Sequence, residues 1–185
     1  MTKKNIERKA IDKVFILLGA AVTVLLIGAG GLLFYGYSFA TGMVKDQLSA
    51  QNIYFPEKDS AALNALAPED KSEVSKYAGQ QLVTGEQAKV YANHYIGAHL
   101  KDIAGGKTYA EVSDEANANP DNAELQGKKA ALFQGETLRG MLLGTGYAFW
   151  TFGMIALYSS IAAFVGAVIM FVLVLLGIRH LARIK

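Results

Sequence analysis

The sequence predicts an all-α membrane protein, an antiparallel two-helix transmembrane hairpin carrying a small helical extracytoplasmic domain. Three observations carry that prediction. Val14 to Val44 contains no Asp, Glu, Lys or Arg across 31 residues, and Gly140 to Ile178 contains none across 39. Each run exceeds the roughly 20 apolar residues needed to cross about 30 Å of hydrocarbon. The formal charge of +2 also divides by position: residues 1–13 and 179–185 are each net +3, whereas residues 45–139 are net −4.

That charge division orients the hairpin. Lys3, Lys4, Arg8, Lys9 and Lys13 outweigh Glu7 and Asp12 before the first run, and Arg179, Arg183 and Lys185 follow the second. Basic residues beside span ends remain on the cytoplasmic side. The expected order is a basic cytoplasmic segment (1–13), a first transmembrane helix with an outer extension (14–44), and an extracytoplasmic helical domain (45–139). An outer extension with the second transmembrane helix (140–178) and a basic cytoplasmic end (179–185) complete it. Ser38-Phe39-Ala40 resembles a signal-peptide cleavage site. The apolar stretch before it is longer than the roughly 7–15 residues of a signal core, so an uncleaved anchor is expected.

As continuous helices the two runs would measure about 46 Å and about 58 Å, more than a bilayer requires. The excess falls at the outer ends, where Phe34, Tyr35, Tyr37 and Phe39 stand on one side and Tyr147, Phe149, Trp150, Phe152 and Tyr158 on the other. Rings with one apolar and one polar part suit that depth. They form either an interfacial belt or a mutually shielding stalk above the membrane. Small residues allow close helix approach in lipid. Ser159, Ala163 and Ala167 recur every four residues as a packing stripe, Gly140 and Gly144 form a Gly-x-x-x-Gly, and Gly36 and Ala40 share the same spacing. The stripe serves the chain's own two spans, a partner helix or a homo-oligomer.

Between the runs, helix signals dominate. Thr84-Gly85-Glu86-Gln87 fits a capping box, followed by an apolar face of Ala88, Tyr91, Ala92, Tyr95, Ile96, His99, Leu100 and Ile103. Gly105-Gly106 should end that helix, since glycine accepts the left-handed cap geometry. Thr108-Tyr109-Ala110-Glu111 is a second capping box. Asn119-Pro120-Asp121 reads as the start of a helix running through Leu125, Leu132 and Leu138 into the second span. Gln51 to Pro56 reads as extended, because the residue before proline avoids helical geometry.

Catalytic and metal constellations do not emerge. With no cysteine in the chain, thiolate chemistry and Cys-based zinc sites are excluded. His94 and His99 are five apart and miss the i, i+4 spacing of a metal-binding helix, while His180 lies at the other end of the chain. Gly106-Lys107-Thr108 resembles the end of a phosphate loop, but Lys101 occupies its first glycine position. No Gly-x-Ser-x-Gly elbow occurs. The two runs hold no ionisable group of the kind that marks an ion or proton path.

Gln47-Leu48 with Gln51, Ile53 and Phe55-Pro56, then Gly106 through Glu111, then Leu138-Arg139-Gly140-Met141-Leu142-Leu143 resemble the strings of an uncharacterised family of two-span membrane proteins found mainly in actinobacteria. The resemblance implies a bacterial plasma membrane and brings no catalytic residue. Some members carry an automatic label of aromatic ring-opening dioxygenase, for which this sequence lacks an iron-ligand cluster. The expectation is therefore a non-enzymatic accessory or scaffold protein without cofactor or metal. Its expected partners are membrane lipids and another membrane or envelope protein, with a homo-oligomer as a further option and no nucleic acid. Tyr91, Tyr95, Tyr147, Phe149 and Trp150 are the candidate partner or ligand contacts. The alternative is a module binding a lipid or small apolar ligand through those rings.

Overall fold

A computed structural model describes residues 3–183, with side chains described from residue 8 onward. The side chains of Lys3, Lys4 and Glu7, and the whole of Lys185, lie outside the described residues. The elements are all helical: α1 (Lys3–Ala50), α2 (Ala61–Asn64), α3 (Pro68–Ser75), α4 (Gly85–Val90), α5 (Gly97–Ala104), α6 (Tyr109–Ala118), α7 (Ala123–Met141) and α8 (Phe149–Arg183). Two π-helical segments, Tyr91–Ile96 and Leu142–Ala148, join α4 to α5 and α7 to α8 without a break. The chain divides into two compact units, Met1–Phe39 with Gly153–Lys185, and Ala40–Phe152.

In the first unit, α1 and α8 are long and apolar enough to cross a membrane. Their contacts run in opposite directions. A Cβ on Gly19 would lie 2.8 Å from Val174, one on Gly30 would lie 3.0 Å from the Phe164 ring, and one on Gly177 would lie 3.0 Å from Ile16. The Ser160 hydroxyl donates to the Gly30 carbonyl at 2.8 Å, and buried Thr23 returns its own hydroxyl to Gly19 O at 2.8 Å. Among the shielded positions one series alternates steps of three and four: Ile16, Gly19, Thr23, Leu26, Gly30 and Leu33 on α1, and Gly153, Ala156, Ser160, Ala163, Ala167, Met170, Val174 and Gly177 on α8. That is a heptad seam with small residues at its closest points. Away from the seam the helices present apolar side chains, with Leu25 71% and Leu32 75% exposed.

Within the chain's own helix pair the seam takes up only part of the predicted stripe. Ala163 and Ala167 lie on it, but Ser159 is exposed and Ser160 takes its place. A strict four-residue step rotates about 40° around the helix each time, so the two steps from Ser159 to Ala167 turn about 80° and carry Ser159 off the contact face, whereas alternating three and four stays on it. Gly140, Gly144 and Gly36 have no neighbouring atom within 4 Å of a built Cβ, so no close contact in the structure depends on these glycines.

The second unit has two apolar clusters. Val44, Leu48, Phe55, Leu63, Val74, Leu82, Ala88, Val90, Ala92 and Leu142 form the larger. Leu100, Ala104, Val112 and Leu132 form the smaller, where α5 and α6 meet α7. Both capping boxes form: Thr84 and Gln87 close the start of α4, and Thr108 and Glu111 that of α6. Hydrogen bonds from the Thr108 backbone and side chain hold the Glu111 carboxyl below its ordinary range. Gly105 ends α5 at φ +62°, and Gly106 N–H reaches back to Lys101 O at 2.9 Å. The Gln51–Pro56 stretch is non-helical, and Tyr54 forms an isolated antiparallel bridge with Gln81.

Two predicted details change. Asn119 ends α6 instead of starting α7, because its amide group donates to Glu115 O and its backbone N–H to Ala116 O. Asn122 is the cap of α7, accepting from Leu125 N at 3.1 Å. The single helix expected from residue 85 is interrupted by the wide turn at Tyr91–Ile96, which shifts the phase of the residues beyond it. Leu100 and Ala104 are buried there, whereas His99 and Ile103 are exposed.

Candidate functional site

The candidate surface is built on the wide turn of the second unit. In it Gly97 N–H bonds Ala92 O, a five-residue step. Arg139 on α7 completes the arrangement: its Nε donates to the same carbonyl at 3.0 Å and one Nη to Asn93 Oδ1 at 3.3 Å. The other Nη spans both carboxylate oxygens of Glu136 at 2.8 and 2.9 Å. Wide turns of this kind occur frequently at functional positions. Here the turn aligns a ladder of rings. Phe55 lies 5.3 Å from Tyr77 and 5.2 Å, edge-on, from Tyr91; Tyr91 lies 4.9 Å from Tyr95, and Tyr95 4.7 Å from the His99 ring.

The rings are occupied with one another. Burial, with Tyr95 alongside, pushes the Tyr91 hydroxyl up to about 12, so it remains protonated as a donor and is unsuited to act as a base. Phe149 and Trp150 pack against the larger cluster with Tyr91 and Tyr95. Trp150 fills the space left by the missing side chain of Gly85, where a Cβ would come within 2.2 Å. Tyr147 stands apart from these four, with Lys89 Nζ 4.8 Å from its ring centre and 3.4 Å from its hydroxyl. The structure thus brings Tyr91, Tyr95, Phe149 and Trp150 onto one core and places Tyr147 with a cation.

The polar groups are similarly engaged. His94 Nδ1 lies 2.8 Å from Asp70 Oδ1. His99 Nδ1 lies 2.7 Å from Tyr95 O and must carry the proton, since a carbonyl only accepts. An Asp–His pair performs acid–base work when the free ring nitrogen reaches a nucleophile. Among the described residues His94 makes no hydrogen bond to a hydroxyl. Lys107 pairs with Glu115 at 2.5 Å and Thr108 caps α6, so the residues resembling a phosphate loop serve local structure. No group of three or more His, Asp or Glu side chains able to hold a metal occurs among the described residues.

No protein-family model, curated protein or solved structure matches this chain.

The geometry adds one pair that the sequence alone did not single out. Phe133 on α7 is 58% exposed, its ring 5.9 Å from that of Tyr109. With Gln126, Lys129 and Ala130 the two rings line an open cleft of about 360 Å³. The available signal was the adjacency of Leu132 and Phe133. Neighbours on a helix differ by about 100°, so only one can face inward, and Leu132 is buried.

Proposed function

We propose that this chain is a non-enzymatic accessory or scaffold protein of a bacterial plasma membrane. α1 and α8 form its antiparallel transmembrane hairpin with both termini cytoplasmic, and residues 40–152 dock another envelope protein outside. The observation that carries the docking role is Phe133, the outward ring on α7 beside Tyr109 and Lys129, whereas Phe55, Tyr77, Tyr91, Tyr95, Phe149 and Trp150 are taken up by the larger apolar cluster. Aromatic side chains, phenylalanine among them, are enriched in the cores of protein interfaces. The mutual packing of Phe55, Tyr77, Tyr91 and Tyr95 weighs against the apolar-ligand alternative, because a ligand among them would have to separate the rings.

Two experiments test this reading. The chain has no cysteine, so single replacements report topology cleanly. Asp114→Cys should label with a membrane-impermeant maleimide in intact cells, and Ala182→Cys only after permeabilisation. Labelling of Ala182→Cys in intact cells would refute the orientation. For docking, Phe133→Glu should abolish co-purification of the partner in mild detergent while leaving the melting temperature nearly unchanged, since exposed substitutions usually stay within about 0.5 kcal/mol. Consistent recovery of the wild-type chain as a lone monomer would remove the scaffold reading.

A further inference from the structure

Asp12 is the exception on the seam of α1. Shielded positions step by three and four from Lys9 through Asp12, Ile16, Gly19, Thr23, Leu26 and Gly30, and Asp12 is the acidic one among them. Its Oδ2 is buried without a hydrogen-bond partner, the one such side-chain nitrogen or oxygen among the described residues. Asp12 lines a groove of about 220 Å³ within the helix pair, where Ile16, Gly19, Val174 and Gly177 contribute an apolar wall and His180 stands at the same end as Asp12.

A buried carboxylate oxygen lacking a donor is costly, so this geometry calls for one. The groove far exceeds the ~30 Å³ share of one water. Since most of it is apolar, the donor that fits carries an apolar body. Lys13 and Arg179 flank the same end and are exposed. A carboxylate acceptor beside cations complements a head group with an ammonium next to a phosphate.

Resting on the membrane reading above, we propose that this groove binds one aminophospholipid of the cytoplasmic leaflet. Its primary ammonium donates to Asp12 Oδ2, its phosphate faces Lys13 and Arg179, and an acyl chain lies along the apolar wall. A choline head group has no N–H to donate, and a head group without an amine leaves Asp12 unsatisfied.

Native mass spectrometry of the full chain in detergent tests this, titrating phosphatidylethanolamine, phosphatidylcholine and phosphatidylglycerol with identical acyl chains. Retention of the ethanolamine lipid is expected at about tenfold lower concentration, the equivalent of one hydrogen bond to a charged group. Asp12→Asn should bring the three lipids level. Leu173→Trp, at a half-exposed position of the groove, should lower ethanolamine-lipid retention while leaving Asp12 in place. Glycerophosphoethanolamine without acyl chains should not compete. The proposal is overturned by equal retention of all three lipids, by a preference that survives both variants, by effective competition from the chain-free head group, or by no lipid retention at all. Alkaline carbonate extraction separates the two readings. A chain released from membranes defeats the membrane reading, whereas a retained chain with no ethanolamine preference defeats this site alone.

Discussion

Gly85→Val is expected to destabilise residues 40–152 by about 3 kcal/mol or more, beyond the usual cost of overpacking a core. Gly85 opens α4 directly after its Thr84 cap, and a Cβ there would lie 2.2 Å from Trp150 Cβ and 2.4 Å from Trp150 Cγ. A rotamer change can swing Cγ aside but leaves Cβ, which the backbone fixes, so the backbones must separate. Separation is resisted nearby, where a Cβ on Gly146 would already lie 3.1 Å from Ala88 Cβ. The melting temperature of the full chain in detergent should fall by roughly 10–20 °C, using the scaling for a domain of about 100 residues. Trp150→Ala should not rescue the variant, because alanine retains the clashing Cβ. A Gly85→Val chain melting within a few degrees of wild type would refute the close approach.

Legibility in the sequence tracks the range of the interactions involved. The capping boxes at Thr84 and Thr108 and the glycine stop at Gly105 are settled by atoms a few residues apart, and the structure forms all three. Two long apolar helices were equally readable, since absence of charge over such lengths is a local property. The missed features depend on partners distant in sequence. Asn119 and Asn122 are both competent caps, and the choice turned on how α6 ends. Ser160 replaced Ser159 because the seam matches a partner helix 130 residues away, through the bond to Gly30. The wide turn at Tyr91–Ile96 has no composition of its own that distinguishes it from an ordinary helix. Asp12 reads as one of the charges flanking a span, and only the structure shows its Oδ2 buried without a hydrogen-bond partner. For the candidate surface, Tyr91 and Tyr95 stood out as aromatic residues on a helical face, but only the ring distances show that they pack on Phe55 and each other.

Arg139→Met should show whether the wide turn depends on that distant contact. Arg139 is about a quarter exposed, and it reaches from α7 to a carbonyl and an amide oxygen 47 and 46 residues away. Methionine retains much of the aliphatic stem but removes a charged donor from Ala92 O, a loss of about 2 kcal/mol. That corresponds to a fall of roughly 10 °C in melting temperature for a unit of this size. The outward ion pair with Glu136 cannot account for such a loss, because Glu136 is substantially exposed and pairs of that kind contribute less than about 1 kcal/mol. Glu136→Gln should therefore change stability little. Arg139→Lys should recover less than half of the loss, since one ammonium lacks the planar fork that reaches Ala92, Asn93 and Glu136 together. If the turn relaxes, Tyr91 and Tyr95 lose their alignment, and the near-ultraviolet circular dichroism of the tyrosines should weaken in Arg139→Met but not in Glu136→Gln. Equal effects from the two variants would mean that the ion pair, and not the reach across to the turn, is what Arg139 contributes.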